Sequence, residues 1–204
     1  MPKVVDHAAR REEIVDALLR VAERDGLDGV SLRAVAREGG WSTGVLAHYF
    51  PAKDDLLAFA LVQAGTRPVE RGRAAAAGAR TSLLALRALL RHALPLDDGR
   101  RREARLWFGL TARGEGAPGV ADAARGRYAA WTDALGEALR AAGLAPDDAR
   151  QGAVTLLAAA DGLALRMLTA PVPRRAVDRA LDDALAAVVR TTSRPPRRPG
   201  RRSP

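Results

Sequence analysis

Apolar positions recur every three to four residues along most of the chain, and nowhere do they alternate with polar ones over a strand's length between turn signals. The pattern predicts an all-α protein. Ile14, Ala17, Leu18 and Val21 share one helical face, with Arg10, Arg20 and Arg24 elsewhere. Asp25-Gly26 ends that helix, because glycine takes a left-handed position without a Cβ clash. Later helices are predicted over 53–66, 81–94, 99–113, 118–142, 146–169 and 174–191. Pro68 is expected to break or kink the chain after the first of these. Pro118 and Pro146 stand where a helix can begin, since its first position needs no N–H donor. Pro171 and Pro173 separate the last two helices. Residues 193–204 carry five arginines, no acid and no apolar residue but proline. That segment is expected to be a disordered basic tail with no core to join.

Residues 26–57, GLDGVSLRAVAREGGWSTGVLAHYFPAKDDLL, place two short helices from their caps. Ser31 is an N-cap, with Val30 and Val35 positioned to staple the helix start. Leu32, Val35 and Ala36 then face inward, and Gly39-Gly40 breaks the helix. The arrangement repeats with Trp41, the N-cap Ser42 and Leu46, and Val45, Leu46 and Tyr49 follow at helical spacing. Pro51 stops the second helix. Two short helices joined by a glycine turn behind a longer one form a helix-turn-helix, whose second helix enters the DNA major groove. Thr43 and Gly44 are small and lie in its first turn. Its free N–H groups favour phosphate. His48, Tyr49 and Lys53 offer donors to bases or phosphates. Serine-capped helix pairs also occur in α-proteins that never touch DNA, so an all-α scaffold or interaction protein is the alternative. Ser31 and Ser42 then serve as caps, His48 as a solvated histidine and Tyr49 as packing.

From Ile14 to Leu57 the chain resembles the DNA-binding domain of the TetR family of bacterial repressors. The resemblance is carried by Gly26, Ser31, Ala36, Gly40, Ser42, Gly44, Leu46, Tyr49-Phe50, Lys53-Asp54 and Leu56, and the His48-Tyr49 pair is most similar to the BetI-type branch. Gly39, Trp41 and Ala47 depart from the pattern, where alanine, a smaller apolar residue and often tyrosine stand. The resemblance implies that Ser31 and Arg33 contact phosphate, that Thr43, Gly44 and His48 face the groove, and that Tyr49 and Lys53 hold phosphate. It implies a homodimer on a (pseudo)palindromic operator, released when a small-molecule effector occupies the C-terminal part. The domains are then 1–55 for DNA and 56–192 for effector binding and dimerisation.

Charge changes this picture only in part. The net charge is +9, which suits a polyanion partner, yet residues 1–56 hold eight basic and ten acidic residues. The excess lies elsewhere. Two lysines, one isoleucine and no asparagine beside abundant Ala, Arg, Gly and Leu fit a GC-rich coding sequence without any function. With 48% apolar and 28% charged residues the chain has an ordinary globular composition. No uninterrupted apolar run approaches the roughly 18 residues of a membrane span, and no export signal is read at the N-terminus. There are no cysteines, so disulfide and thiolate chemistry are excluded and a cytoplasmic location is the default.

Residues 57–192 carry no P-loop, HExxH or GxSxG motif. His7, His48 and His92 lack ligand spacing, so neither a metal, a cofactor nor an enzymatic triad is expected. Val154, Leu157 and Leu165 on one helix, and Val177, Leu181, Leu185 and Val188 on the next, form stripes that either pair with a second copy as a four-helix bundle or pack on their own core. The resemblance favours the dimer. Asp161 falls beside the first stripe, where a carboxylate needs a partner. Arg166, an interface arginine or a ligand ammonium could supply it. Trp107, Phe108, Tyr128 and Trp131 lie on two central helices, where the family holds its effector. They either bind a cation together with Asp161 or are ordinary core.

Overall fold

A computed structural model of the chain describes residues 7–113 and 118–192. Among these residues all regular structure is helical: α1 (His7–Asp25), α2 (Leu32–Gly39), α3 (Thr43–Tyr49), α4 (Lys53–Ala77), α5 (Ser82–His92), α6 (Asp98–Arg113), α7 (Pro118–Ala141), α8 (Pro146–Thr169) and α9 (Arg174–Thr192). The expectation for the basic tail at 193–204 lies outside the described residues.

Two hydrophobic cores organise these helices. The first gathers Ile14, Leu18 and Val21 of α1, Val35 of α2, Leu46 of α3 and Leu56, Ala60 and Leu61 of α4, and it also takes in Leu106, Trp107 and Leu110 of α6. The second is built from Val69 of α4, Leu86, Leu89 and Leu90 of α5, Trp131 and Leu135 of α7, Leu156 of α8 and Leu181 of α9. The sequence boundary at 55/56 falls in the first turn of α4, a helix that serves both cores.

Pro68 does not break α4, which runs on to Ala77. A proline inside a helix removes one N–H donor and costs about 3 kcal/mol. Burial offsets that cost here. Ala60, Ala64, Gly65, Pro68 and Gly72 form a buried row of small side chains that lets neighbouring helices come close. A Cβ on Gly72 would lie 3.3 Å from Leu89 of α5.

Helix α8 is long and apolar enough to cross a membrane by length and composition alone. In the fold it lies against α7 and α9, with Ala149, Ala153, Leu156, Leu157, Ala160, Ala164 and Met167 buried. Ion pairs fasten the helices at the surface. Arg87 and Arg91 of α5 hold Asp182 and Asp178 of α9, and Arg67 of α4 holds Asp16 of α1 at 3.1 Å.

Helix α6 begins on Asp97, whose carboxylate accepts the Arg100 N–H at 2.9 Å while its carbonyl accepts the Arg101 N–H at 2.9 Å. That backbone N–H and the Arg100 guanidinium hold the Asp97 carboxyl below the ordinary carboxylate range. A depressed pKa stabilises the fold fully above the ordinary value, and the contribution fades as pH falls through the depressed one. Asp97→Ala is therefore expected to cost about 1 kcal/mol at neutral pH. Urea unfolding of parent and variant should show that difference shrinking in acid.

Candidate DNA-reading surface and effector cleft

The helix pair α2–α3 is fixed by the caps anticipated from its sequence. The Ser31 hydroxyl oxygen accepts the Ala34 N–H at 3.1 Å, and that of Ser42 accepts the Val45 N–H at 3.3 Å. Gly40 closes α2 with φ +73°, a conformation that strains any residue with a Cβ. Val30 and Val35 are both buried, as a hydrophobic staple requires. On α3 only Leu46 is fully buried. Val45 is exposed and Tyr49 half-buried, because a helix of about two turns presents its core face through Leu46.

What α2 and α3 leave outward is the polar set. Ser31, Arg33, Ser42, Thr43, Gly44 and His48 are exposed, and Tyr49 and Lys53 are half-buried. His48 and Tyr49 stand edge to face at 5.4 Å, with the His7 ring 5.5 Å from Tyr49. The acid-rich balance of this region does not reach α3. Glu38 is bound by Arg20 and Arg24 of α1 at 2.9 and 2.8 Å, which hold its carboxyl below the ordinary range. Glu23 is bound by Arg102 of α6 at 2.6 Å. Asp55 accepts the Ala52 N–H at 3.1 Å at the start of α4.

The residues expected at a dimer interface divide sharply. Leu157, Val177, Leu181, Leu185 and Val188 belong to the chain's own core. Their spacing suits either use, and the intrachain packing of α8 and α9 against α5 and α7 takes them. Val154 and Leu165 are 49% and 50% exposed. Ala158 and Gly162 share their outward face of α8.

The aromatic group is also rearranged. Trp107 and Trp131 are buried but sit in different cores, Phe108 packs against both, and Tyr128 is partly exposed. The partner of Asp161 is Arg127 of α7, with Nη2 at 3.6 Å from Oδ1. Arg166 is exposed. Burial pushes the Asp161 carboxyl up, while the Arg127 charge and the nearby Tyr128 hydroxyl oppose the rise. The Arg127 guanidinium lies 3.9 Å from the Trp107 ring centroid. The aromatic face read as a seat for a ligand cation is thus covered by the chain's own cation. Arg127 was not singled out from the sequence, although it falls one turn before Trp131 on the inward row of α7.

A small cleft opens beside this cluster, walled by Ala64 and Pro68 of α4, His92 of α5, Arg100, Glu103, Ala104 and Trp107 of α6 and Arg127 of α7. Of the five residues proposed for a ligand pocket, only Trp107 lines it. Burial, then the charges of Arg100, Arg71 and Arg91, pushes the His92 pKa down.

Residues 83–190 match the C-terminal domain of BetI-type transcriptional repressors, and residues 14–59 match the DNA-binding domain of bacterial regulatory proteins of the tetR family. The chain belongs to the TetR family. It is 36% identical over 112 residues to the HTH-type transcriptional regulator PksA of Bacillus subtilis, a match covering 55% of each chain, so it spans about half the length of that relative. It is 46% identical over 57 residues to the regulator BetI of Burkholderia cenocepacia, covering 28% of this chain and 29% of BetI. A crystal structure of a transcriptional regulator from Rhodococcus superposes with a TM-score of 0.80 at 31% identity, covering 91% of this chain and 99% of the other.

Two departures from the TetR pattern prove to be one. A Cβ on Gly39 would lie 2.1 to 2.5 Å from three ring atoms of Trp41, so the indole fills the space that an alanine at 39 would need. The Arg10 guanidinium lies 5.4 Å from the ring centroid of that indole. Gly39→Ala should overpack the turn and cost about 1–3 kcal/mol. Gly39→Ala with Trp41→Val should recover that loss, since a glycine-to-alanine change alone favours a helix. Urea unfolding of the two single variants and the double one measures the coupling.

Proposed function

We propose that this TetR-family chain is a dimeric repressor that binds a (pseudo)palindromic operator through α3 and releases it when a small molecule enters its C-terminal part. The observation that carries the reading is the outward face of the helix pair. Caps and Leu46 fix α3 rigidly, while Thr43, Gly44 and His48 are left exposed and flanked by Arg33 and Lys53. The segment from Ser31 to Lys53 has three cations and one acid, and that acid, Glu38, is bound back to α1. The surface thus has the charge that phosphates require and small residues where bases approach. Neither the cleft nor this surface has a catalytic group set for bond chemistry, so regulation rather than catalysis is the proposed role, exercised where the DNA is.

Dimerisation is proposed through the exposed row Val154, Ala158, Gly162 and Leu165. Their small side chains let a second α8 approach closely, and two half-exposed large apolar residues gain from being covered. Release follows if the effector prefers a conformer whose two reading heads no longer match the half-site spacing.

Only Ser42 Oγ, at 3.8 Å, lies near a Cβ built on Gly44. Gly44→Leu should therefore leave stability unchanged or slightly raised, yet lower operator affinity at least about tenfold by blocking the groove. Lys53→Ala should weaken all duplexes alike and make the salt slope shallower by about one unit. Normal operator binding by Gly44→Leu in a fluorescence titration would remove α3 from the reading role.

Val154→Glu with Leu165→Glu should yield folded monomers with much weaker operator binding. Sedimentation of that variant as a stable dimer would place the interface elsewhere. Leu181 and Leu185 are unsuitable for this test, because their substitution opens the core.

A further inference from the structure

The proposed effector reading leaves the chemistry of the ligand open, and Arg127 narrows it. This arginine is 6% exposed and has been given a dedicated place. Its stem runs over Gly65, where an added Cβ would lie 3.1 to 3.4 Å from the arginine's Cβ, Cγ and Cδ. Its guanidinium rests on the Trp107 ring. Its nearest carboxylate oxygen, at 3.6 Å, is beyond hydrogen-bond length. Nε and Nη1 are buried with no partner, and so is the neighbouring Trp107 Nε1. Both side chains line the cleft.

The other charges around the cleft are already matched. Glu103 accepts two bonds from Arg71, at 3.1 and 2.5 Å. Asp97 accepts from Arg100. Asp161, with Oδ1 also unpartnered, does not line the cleft. What the wall has in surplus is therefore hydrogen-bond donors, on a cation that is expensive to bury. Buried donors without acceptors are rare in folded proteins. His92, whose Nδ1 is also buried without a partner, is the remaining polar group, and the rest of the wall is apolar: Ala64, Pro68, Ala93, Leu94, Ala104 and the Trp107 ring.

We propose that the cleft between α4, α5, α6 and α7, a volume of about 20 Å³ as it stands, widens to bind a small carboxylate, whose oxygens accept from Arg127 and whose apolar body lies against Trp107, Pro68 and Ala64. The proposal rests on the effector reading and names its ligand class: an organic acid rather than a quaternary amine. Guanidinium recognition of a carboxylate is a charge-assisted hydrogen bond, stronger in a desolvated site than at the surface.

The test uses the full chain and pairs of probes that differ only in charge: benzoate with benzamide, phenylacetate with phenylacetamide, butyrate with butyramide, and choline as a cation. Calorimetry and tryptophan fluorescence report binding. At least one acid should bind at least about tenfold tighter than its amide. Arg127→Gln should bring that acid down to the level of the amide, Arg127→Lys should keep part of the preference, and Gly65→Ala should weaken the acid by displacing the arginine stem. The acid-to-amide comparison on the unaltered chain holds even if a variant folds poorly. Equal binding of acids and amides, no binding of any acid, tighter binding of choline, or a preference that survives Arg127→Gln would each overturn the proposal. Operator affinity without probes is measured on the same samples. Its absence defeats the repressor reading, whereas intact operator binding without a preference for acids defeats only the carboxylate.

Discussion

One helix serves two cores. The first half of α4 gives Leu56, Ala60 and Leu61 to the packing of the helix-turn-helix, and the second half gives Val69 to the C-terminal bundle. Helix α6 makes a second connection, since Leu106, Trp107 and Leu110 pack with the reading head while its N-terminal turn carries Arg101, which donates to the Met167 carbonyl of α8 at 2.8 Å. Close-packed interiors transmit displacement rather than absorb it. A group that wedges α4 from α6 or α7 must therefore shift side chains shared with the head. The cleft beside Trp107 lies at that junction, and Trp107 is both its wall and a member of the first core. Leu27, in the turn after α1, closes the contact on the other side, where a Cβ on Gly109 of α6 would lie 2.7 Å from its Cδ1.

Features set by local chemistry were legible in the sequence. Ser31, Ser42 and Gly40 do what their positions announced, because a cap or a left-handed glycine depends on a few neighbouring residues. Helix bounds near 81–94, 99–113 and 118–142 fell within a residue or two of those found, and 146–169 coincided. Features set by tertiary packing were not legible. Pro68 is a breaker by propensity, but the row of small residues around it makes α4 worth continuing. The stripe on α9 has the same periodicity whether its partner is another chain or its own α5 and α8, and only the fold separates the two. The same holds for Gly39 and Trp41, which read as two unrelated departures until the indole is placed over the glycine.

Arg127 shows where an available signal went unused. An arginine on the row of Ala124, Trp131 and Leu135 needs a partner as much as Asp161 does on its own apolar row. Together the two residues form a buried pair that holds each other loosely. Burial pushes the Arg127 guanidinium down and the Asp161 carboxyl up, each opposed by the other's charge. A hydrophobic pair of similar volume would often be as stable or more so, which sets this cluster apart from the surface ion pairs that join α1 to α6 or α5 to α9. Those contribute little individually and mainly align helices whose apolar faces supply the stabilisation.

The most direct measurement of the central claim, that this surface reads DNA, is the equilibrium affinity of the full chain for duplexes taken from upstream of its own coding sequence, against a scrambled duplex of equal length and composition, across a salt series. The account predicts binding to one upstream duplex about a thousandfold or more tighter than to the scrambled one, with log affinity falling linearly in log salt for both. Equal affinity for the two duplexes at every salt concentration would contradict it.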